Sequence, residues 1–239
     1  MDDFFPTLFS KTFFVLSSQL FITWATTQIM FSFLKRKDPQ LEGQPISALE
    51  ELKRSNPDLF AKLAQLFMAN LIGSIIVFLI LLFWGINQSL AVSLSLFSVW
   101  SIMTGFQLEY VLLRVDHGVG RKVLALTASI VLGAALIGIY SHIDFNFLQI
   151  PLFIGLIGLL IFNTVSLFRS MTSTAQRLAA VFGVALFTLY LIFDFDALSQ
   201  KDASGTNTWT AAMQMAIKIY LDIINLILQL ITLLGHSHH

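Results

Sequence analysis

Two aspartates near the end of the chain have the type and spacing to do chemistry. Asp194 closes an apolar run that includes Tyr190, and Asp222 lies inside the next one. Thr208, beside the Ser204-Gly205-Thr206-Asn207 turn cluster, is equidistant from both. In an antiparallel helical hairpin, residues equidistant from the turn sit at the same depth, so Asp194 and Asp222 can face each other. Two carboxylates in a low-dielectric site cannot both ionise cheaply. They titrate as a coupled unit. Such a pair is either a proton sensor or, when both are ionised, an oxygen-ligand site for a hard cation such as Ca2+. Asp196 is rotated by about 200° from Asp194 on a helix and is expected to be solvated.

The run carrying Asp222 holds more. At about 100° per residue, Gln214, Lys218, Asp222, Asn225, Gln229 and Thr232 fall within an arc of roughly 80°. One polar stripe on an otherwise Ile, Leu, Met and Ala helix belongs in a bundle interior or along a water-filled path. The alternative is hydrogen-bond glue between helices. Tyr190 and Glu109 are further candidates for the path, and Glu109 could instead pair with a basic neighbour. Lys218, one turn from Asp222, could neutralise it as an i,i+4 pair. His117 and His142 fall in loops. The His236-Ser237-His238-His239 tail is either a weak metal-binding end or an added tag, and carries no weight.

These residues are placed by an unusually apolar chain. Of 239 residues, 56% are hydrophobic and 12% charged, with 23 Phe and no Cys. Soluble domains carry about 25% charge, so this composition excludes a soluble enzyme and a disordered chain. Net charge is zero, which gives nucleic acid nothing to bind. The absence of Cys excludes disulfides and thiolate sites. Met1-Asp2-Asp3 is acidic where a signal peptide is basic.

A membrane-crossing helix needs roughly 20 mainly apolar residues. Seven stretches qualify: Thr12–Leu34, Phe67–Trp84, Leu90–Leu113, Val119–Tyr140, Ile150–Phe168, Leu178–Leu198 and Ala211–Leu234. None alternates as a barrel strand would, so the expected fold is all-α, a seven-transmembrane-helix bundle forming a single domain over residues 1–239. The one sizeable polar segment, residues 35–65, is a connector. It contains the Pro- and Gly-bearing linker Asp38–Pro45, a capping-box pattern Ser47-Ala48-Leu49-Glu50, and an Asn56-Pro57 helix start that runs on into the second span. It either lies at the membrane interface or docks a partner. Loops after the first, third and fifth spans hold eleven basic residues, against Lys11 and Lys201 on the opposite side. By the positive-inside rule this puts the N-terminus outside.

The closing motif Ile219-Tyr220-Leu221-Asp222-Ile223-Ile224-Asn225-Leu226-Ile227 resembles the signature of the Bax-inhibitor (transmembrane Bax inhibitor motif) family. The Tyr190–Asp194 stretch is similar to the end of that family's preceding helix. Ala125–Ala128, Ile139-Tyr140 and Asp144–Leu148 look like its fourth helix and following loop. The likeness covers about residues 90–235. It implies a seven-helix bundle and a pH-sensitive calcium or cation leak channel, with Asp194 and Asp222 as proton sensor and gate. It implies no enzymatic activity and no cofactor beyond Ca2+ as permeant ion, and the short loops and acidic N-terminus fit a bacterial plasma membrane location. Eukaryotic relatives restrain cell death, and a bacterial one modulates a membrane protease. The chain departs from the family in four ways. Phe83–Asn87 lacks the Arg often found at the end of the second helix, Lys218 stands where a small or apolar residue is usual, the residue 35–65 loop is long, and the loop before Asp144 lacks the usual basic residues. The family is also expected to keep its N-terminus in the cytosol, opposite to the charge rule.

Two other functions fit parts of the chain. A non-conducting regulator could bind other membrane proteins through the long connector or the small residues Gly133, Ala134, Ala135 and Gly138. An intramembrane aspartyl protease also uses aspartates on adjacent helices, but its second aspartate normally follows Gly-x-Gly, whereas Asp222 follows Ile219-Tyr220-Leu221.

Overall fold

The structure, a computed structural model, describes residues 4–37, 48–113, 115, 117–169 and 171–235, with backbone alone for 48, 50, 51, 117, 118, 167 and 168. The described residues are helical and contain no strand. In chain order the helices are α1 (Leu8–Lys37), α2 (Ala48–Ser55), α3 (Pro57–Phe83), α4 (Leu90–Leu112), α5 (His117–Tyr140), α6 (Gln149–Phe168), α7 (Ser173–Ala203) and α8 (Trp209–Gly235). Six of them, α3 to α8, are long and apolar enough to cross a membrane. The seventh long helix, α1, is less apolar, because Lys11, Thr12, Gln19, Thr23 and Thr27 lie on it and are buried against the bundle. The chain is thus an all-α polytopic membrane protein.

Helix ends follow local chemistry. Asn56 accepts from the Leu59 N–H at 3.1 Å with Pro57 in the first turn, and α3 continues unbroken into the second span. Thr172 accepts from the Ala175 N–H at 3.3 Å to start α7. The α7 C-terminus closes through Gly205, at φ +78°. The Gly205 N–H donates to the Asp202 carbonyl and the Thr206 N–H to the Lys201 carbonyl. This is the double bond of a Schellman turn, which needs a left-handed residue at that position. The Leu8 N–H at the start of α1 donates to the Asp202 carboxylate at 2.9 Å, tying the first helix to the α7–α8 turn.

Helix α8 is the centre. It is the most buried of the spans and is flanked by α7, α5, α1 and α4. Helix α3 packs on α4 and α6 on α7, both toward the periphery. The short α2 closes one end of the bundle. Its Leu52 joins Leu34, Leu63, Tyr110 and Leu113 in a small core, and the Leu49 N–H donates to the Leu113 carbonyl at 2.9 Å. The connector is therefore packed on the bundle over its helical part. The Asp38–Pro45 linker, Ser47 of the capping box, Arg114, Asp116 and the His236–His239 tail lie outside the described residues.

Candidate functional site: a carboxyl pair between α7 and α8

The hairpin brings Asp194 and Asp222 together. Both are buried, at 4% and 8% exposure, and their side chains lie within hydrogen-bonding reach of each other. No donor satisfies Asp222 Oδ2. Two carboxylates with an unsatisfied oxygen between helices leave room for one proton, or for a cation, to bridge them. Lys218 is exposed and is not wedged between them; its charge acts on both through space. Tyr190, half-buried one turn before Asp194, is within electrostatic reach of both carboxylates.

The polar stripe on α8 lies on its least covered side. Gln214, Asn225, Gln229 and Thr232 are half-buried and Lys218 is exposed, while the opposite side of α8 is fully buried. The stripe therefore faces the interval between α4 and α7, two helices that scarcely touch each other. Asp222 stands at the α7 border of that stripe.

Two expectations from sequence do not survive. Asp196 is not solvated: it is 7% exposed and accepts from the Phe145 N–H at 3.1 Å and from Gln200 Nε2 at 2.9 Å. It takes up the first N–H of the short 3-10 turn Phe145–Leu148, whose own N-cap is Asp144, so the helix rotation that takes it away from Asp194 turns it toward the α5–α6 connection instead of toward water. Glu109 does not join the stripe. It is 4% exposed and lines a separate cavity of about 220 Å³ with Thr27, Arg121 and Ile227, on the α1 and α5 side of α8. Among the described residues, no group of three or more His, Asp or Glu side chains is placed to hold a metal. The carboxyl pair alone is far short of the six to eight oxygens of a resident Ca2+ site.

Sequence reading missed a second polar cluster. Tyr220, two residues before Asp222, points to the other flank of α8 and is fully buried. Its hydroxyl is 2.6 Å from Thr23 Oγ1, which also bonds the Gln19 and Ser101 carbonyls. Ser101 Oγ donates to Gln19 Oε1 at 3.0 Å, and Phe97 and Trp100 pack on the Tyr220 ring. The signal was present as Gln19, Thr23 and Thr27 at helical spacing in the first span, a second polar stripe facing the first helix's partners. Lys11 counts in the charge rule as a basic residue flanking the first span. It is buried at 3%, with its ammonium bonded to the Asn207 carbonyl at 3.2 Å and 5.3 Å from the centre of the Trp209 ring.

The family described as "Inhibitor of apoptosis-promoting Bax1" matches residues 6–239, nearly the whole chain. The chain belongs to the Bax-inhibitor family. Among relatives of this Bax-inhibitor protein is an uncharacterized protein of Borreliella burgdorferi, 28% identical over 149 residues, 61% of this chain and 64% of that one. The chain thus spans just under two thirds of that relative's length. An uncharacterized membrane protein of Streptococcus pyogenes serotype M6 is 23% identical over 171 residues, 69% of this chain and 74% of that one. Protein LIFEGUARD 4 of Arabidopsis thaliana is 32% identical over 90 residues, 38% of this chain and 34% of that one. The bacterial relatives and the apolar helices agree with an integral membrane location.

Proposed function

We propose that this Bax-inhibitor protein is a pH-sensitive leak pathway for Ca2+ or a similar cation, with Asp194 and Asp222 as the proton-dependent gate. The observation that carries the reading is a pair of buried carboxylates in contact across the α7–α8 hairpin, one oxygen of which lacks a donor. With one shared proton the pair is a hydrogen-bonded clasp between the two helices. Without it, two like charges in contact repel, and together they offer hard oxygen ligands to a divalent cation. Gln214, Asn225 and Gln229 continue as polar groups along the same open side of α8, which suits transient passage of an ion better than tight retention. Lys218, exposed on that side, sets the local potential and limits how strongly a cation is held. Membership of the family supports the reading.

Calcium entry into proteoliposomes tests this. Wild-type protein is expected to leak at rates differing several-fold between about pH 6 and about pH 8, because a proton-sharing pair titrates as a unit. Asp222→Asn, which keeps the shape but removes the shared proton, is expected to leak at the same rate at both. Equal wild-type rates at the two pH values would remove the gate.

A further inference from the structure

We propose that the crevice between α1 and α5 is a binding site for one phospholipid with an anionic, hydroxyl-bearing headgroup. Helices α1 and α5 both pack on α8 but scarcely touch each other. The gap is an apolar cavity of about 560 Å³, adjoining across shared walls at Thr27, Leu108 and Ile227 the 220 Å³ cavity that holds Glu109. Its lining runs from Phe13 to Gln28 along α1, about 22 Å at 1.5 Å per residue. That exceeds the depth of one leaflet's hydrocarbon, about 15 Å, so an acyl chain fits along it. Trp24, 51% exposed, stands in its wall.

The two ends of the crevice differ in chemistry. One is apolar throughout. The other holds Arg121 and Glu109 in the same small cavity, with Lys122 exposed beside Arg121 and the basic end of α1 nearby. A guanidinium grips phosphate oxygens, and the basic rim attracts anionic lipid. The buried carboxylate of Glu109 rejects a second anion at that spot but accepts from a hydroxyl. A phosphoglycerol headgroup satisfies both: phosphate on Arg121, glycerol hydroxyl on Glu109. Within the wall, Thr127 is 5% exposed and its hydroxyl has no partner in the protein. Buried hydroxyls are nearly always bonded, and an ester carbonyl of the lipid is the acceptor such a ligand would bring.

Trp24 reports on this site. The full chain is reconstituted in phosphatidylcholine vesicles containing increasing mole fractions of phosphatidylglycerol with brominated acyl chains, and quenching specific to Trp24 is taken as the difference from Trp24→Phe. Quenching is expected to saturate at low mole fraction. Ala128→Phe, which fills the exposed crevice wall, is expected to abolish the saturable part, and Arg121→Gln to move saturation at least several-fold higher. Quenching that rises only in proportion to mole fraction and is unchanged by Ala128→Phe would overturn the site. Equally early saturation by brominated phosphatidylcholine would overturn the headgroup assignment, and saturation by brominated fatty acid but not by phosphatidylglycerol would overturn the phospholipid.

Discussion

Tyr220 and Asp222 are two residues apart on one helix, and their surroundings are opposites. Tyr220 enters a neutral network with Thr23, Gln19 and Ser101 in which every polar group has a partner. Asp222 meets another acid and keeps an orphan oxygen. The first flank has a single low-energy arrangement. The second leaves hydrogen-bonding capacity unfilled, which is what the proposed proton-dependent gate requires. A polar group on a membrane helix is thus a brace or a switch according to whether its partner has complementary hydrogen-bonding capacity.

Removing the brace should cost most. Tyr220→Ala deletes a fully buried ring packed edge-on against Phe97 and tilted against Trp100. A loss of roughly 3 kcal/mol or more is expected, read as a lowered unfolding midpoint in detergent. Asp222→Asn, two residues away, keeps the size of the side chain and brings an amide that can donate to the Asp194 carboxylate, so it should move that midpoint far less. Equal losses from the two would erase the distinction between the flanks.

The glycines sharpen it. A Cβ on Gly105 would lie 2.6 Å from the Thr23 carbonyl oxygen, so α4 meets α1 backbone to backbone on the braced flank. The atoms nearest a Cβ on Gly183 would be those of the Gln229 side chain, at 2.6–2.7 Å, and that chain can swing away into the open side of α8. Gly105→Ala is expected to destabilise by about 1–3 kcal/mol and Gly183→Ala by less than about 1 kcal/mol. Thermal unfolding of the two variants side by side decides between a rigid and a compliant contact on each flank.

Asp196 separates stability from switching on α7 itself. It is two residues from Asp194 yet its bonds run to the Phe145 N–H at the start of the Phe145–Leu148 turn and to Gln200. Asp196→Ala should cost roughly 1–2 kcal/mol through the buried Phe145 N–H left without an acceptor. The ratio of calcium leak at the two pH values should stay that of wild type. A collapsed ratio would make Asp196 part of the gate.

How far this was legible in the sequence differs between the two flanks. Hydropathy alone marked the helices α3 to α8, because lipid demands long apolar runs and nothing in a short loop imitates them. The Asp194–Asp222 contact was legible because the turn at Gly205 sets the register of a hairpin, and register is arithmetic. The Tyr220 cluster was not, since it joins residues nearly 200 positions apart, and no turn between them sets which face of α1 meets α8. Asp196 was misplaced for the same reason: helical rotation gave its direction correctly, but only the path of the α5–α6 connection shows what waits there. Glu109 is the same case on α4, where the neighbouring helix that turns it toward α1 and α5 is a long-range fact.

The mildest change is the most discriminating. Tyr220→Phe keeps the ring and its packing on Phe97 and Trp100, and removes only the hydroxyl that meets Thr23. Thr23 retains the Gln19 and Ser101 carbonyls as acceptors, so its hydroxyl is not stranded and the expected loss is about 1 kcal/mol. The pH ratio of the calcium leak should be unchanged, because no titrating group has been touched. If the ratio fell, the hydroxyl would have to communicate with the carboxyl pair across the width of α8, and the two flanks would be one device. If stability fell and the ratio held, α8 would be a fixed axle on its α1 and α4 side and a movable partner only along α7.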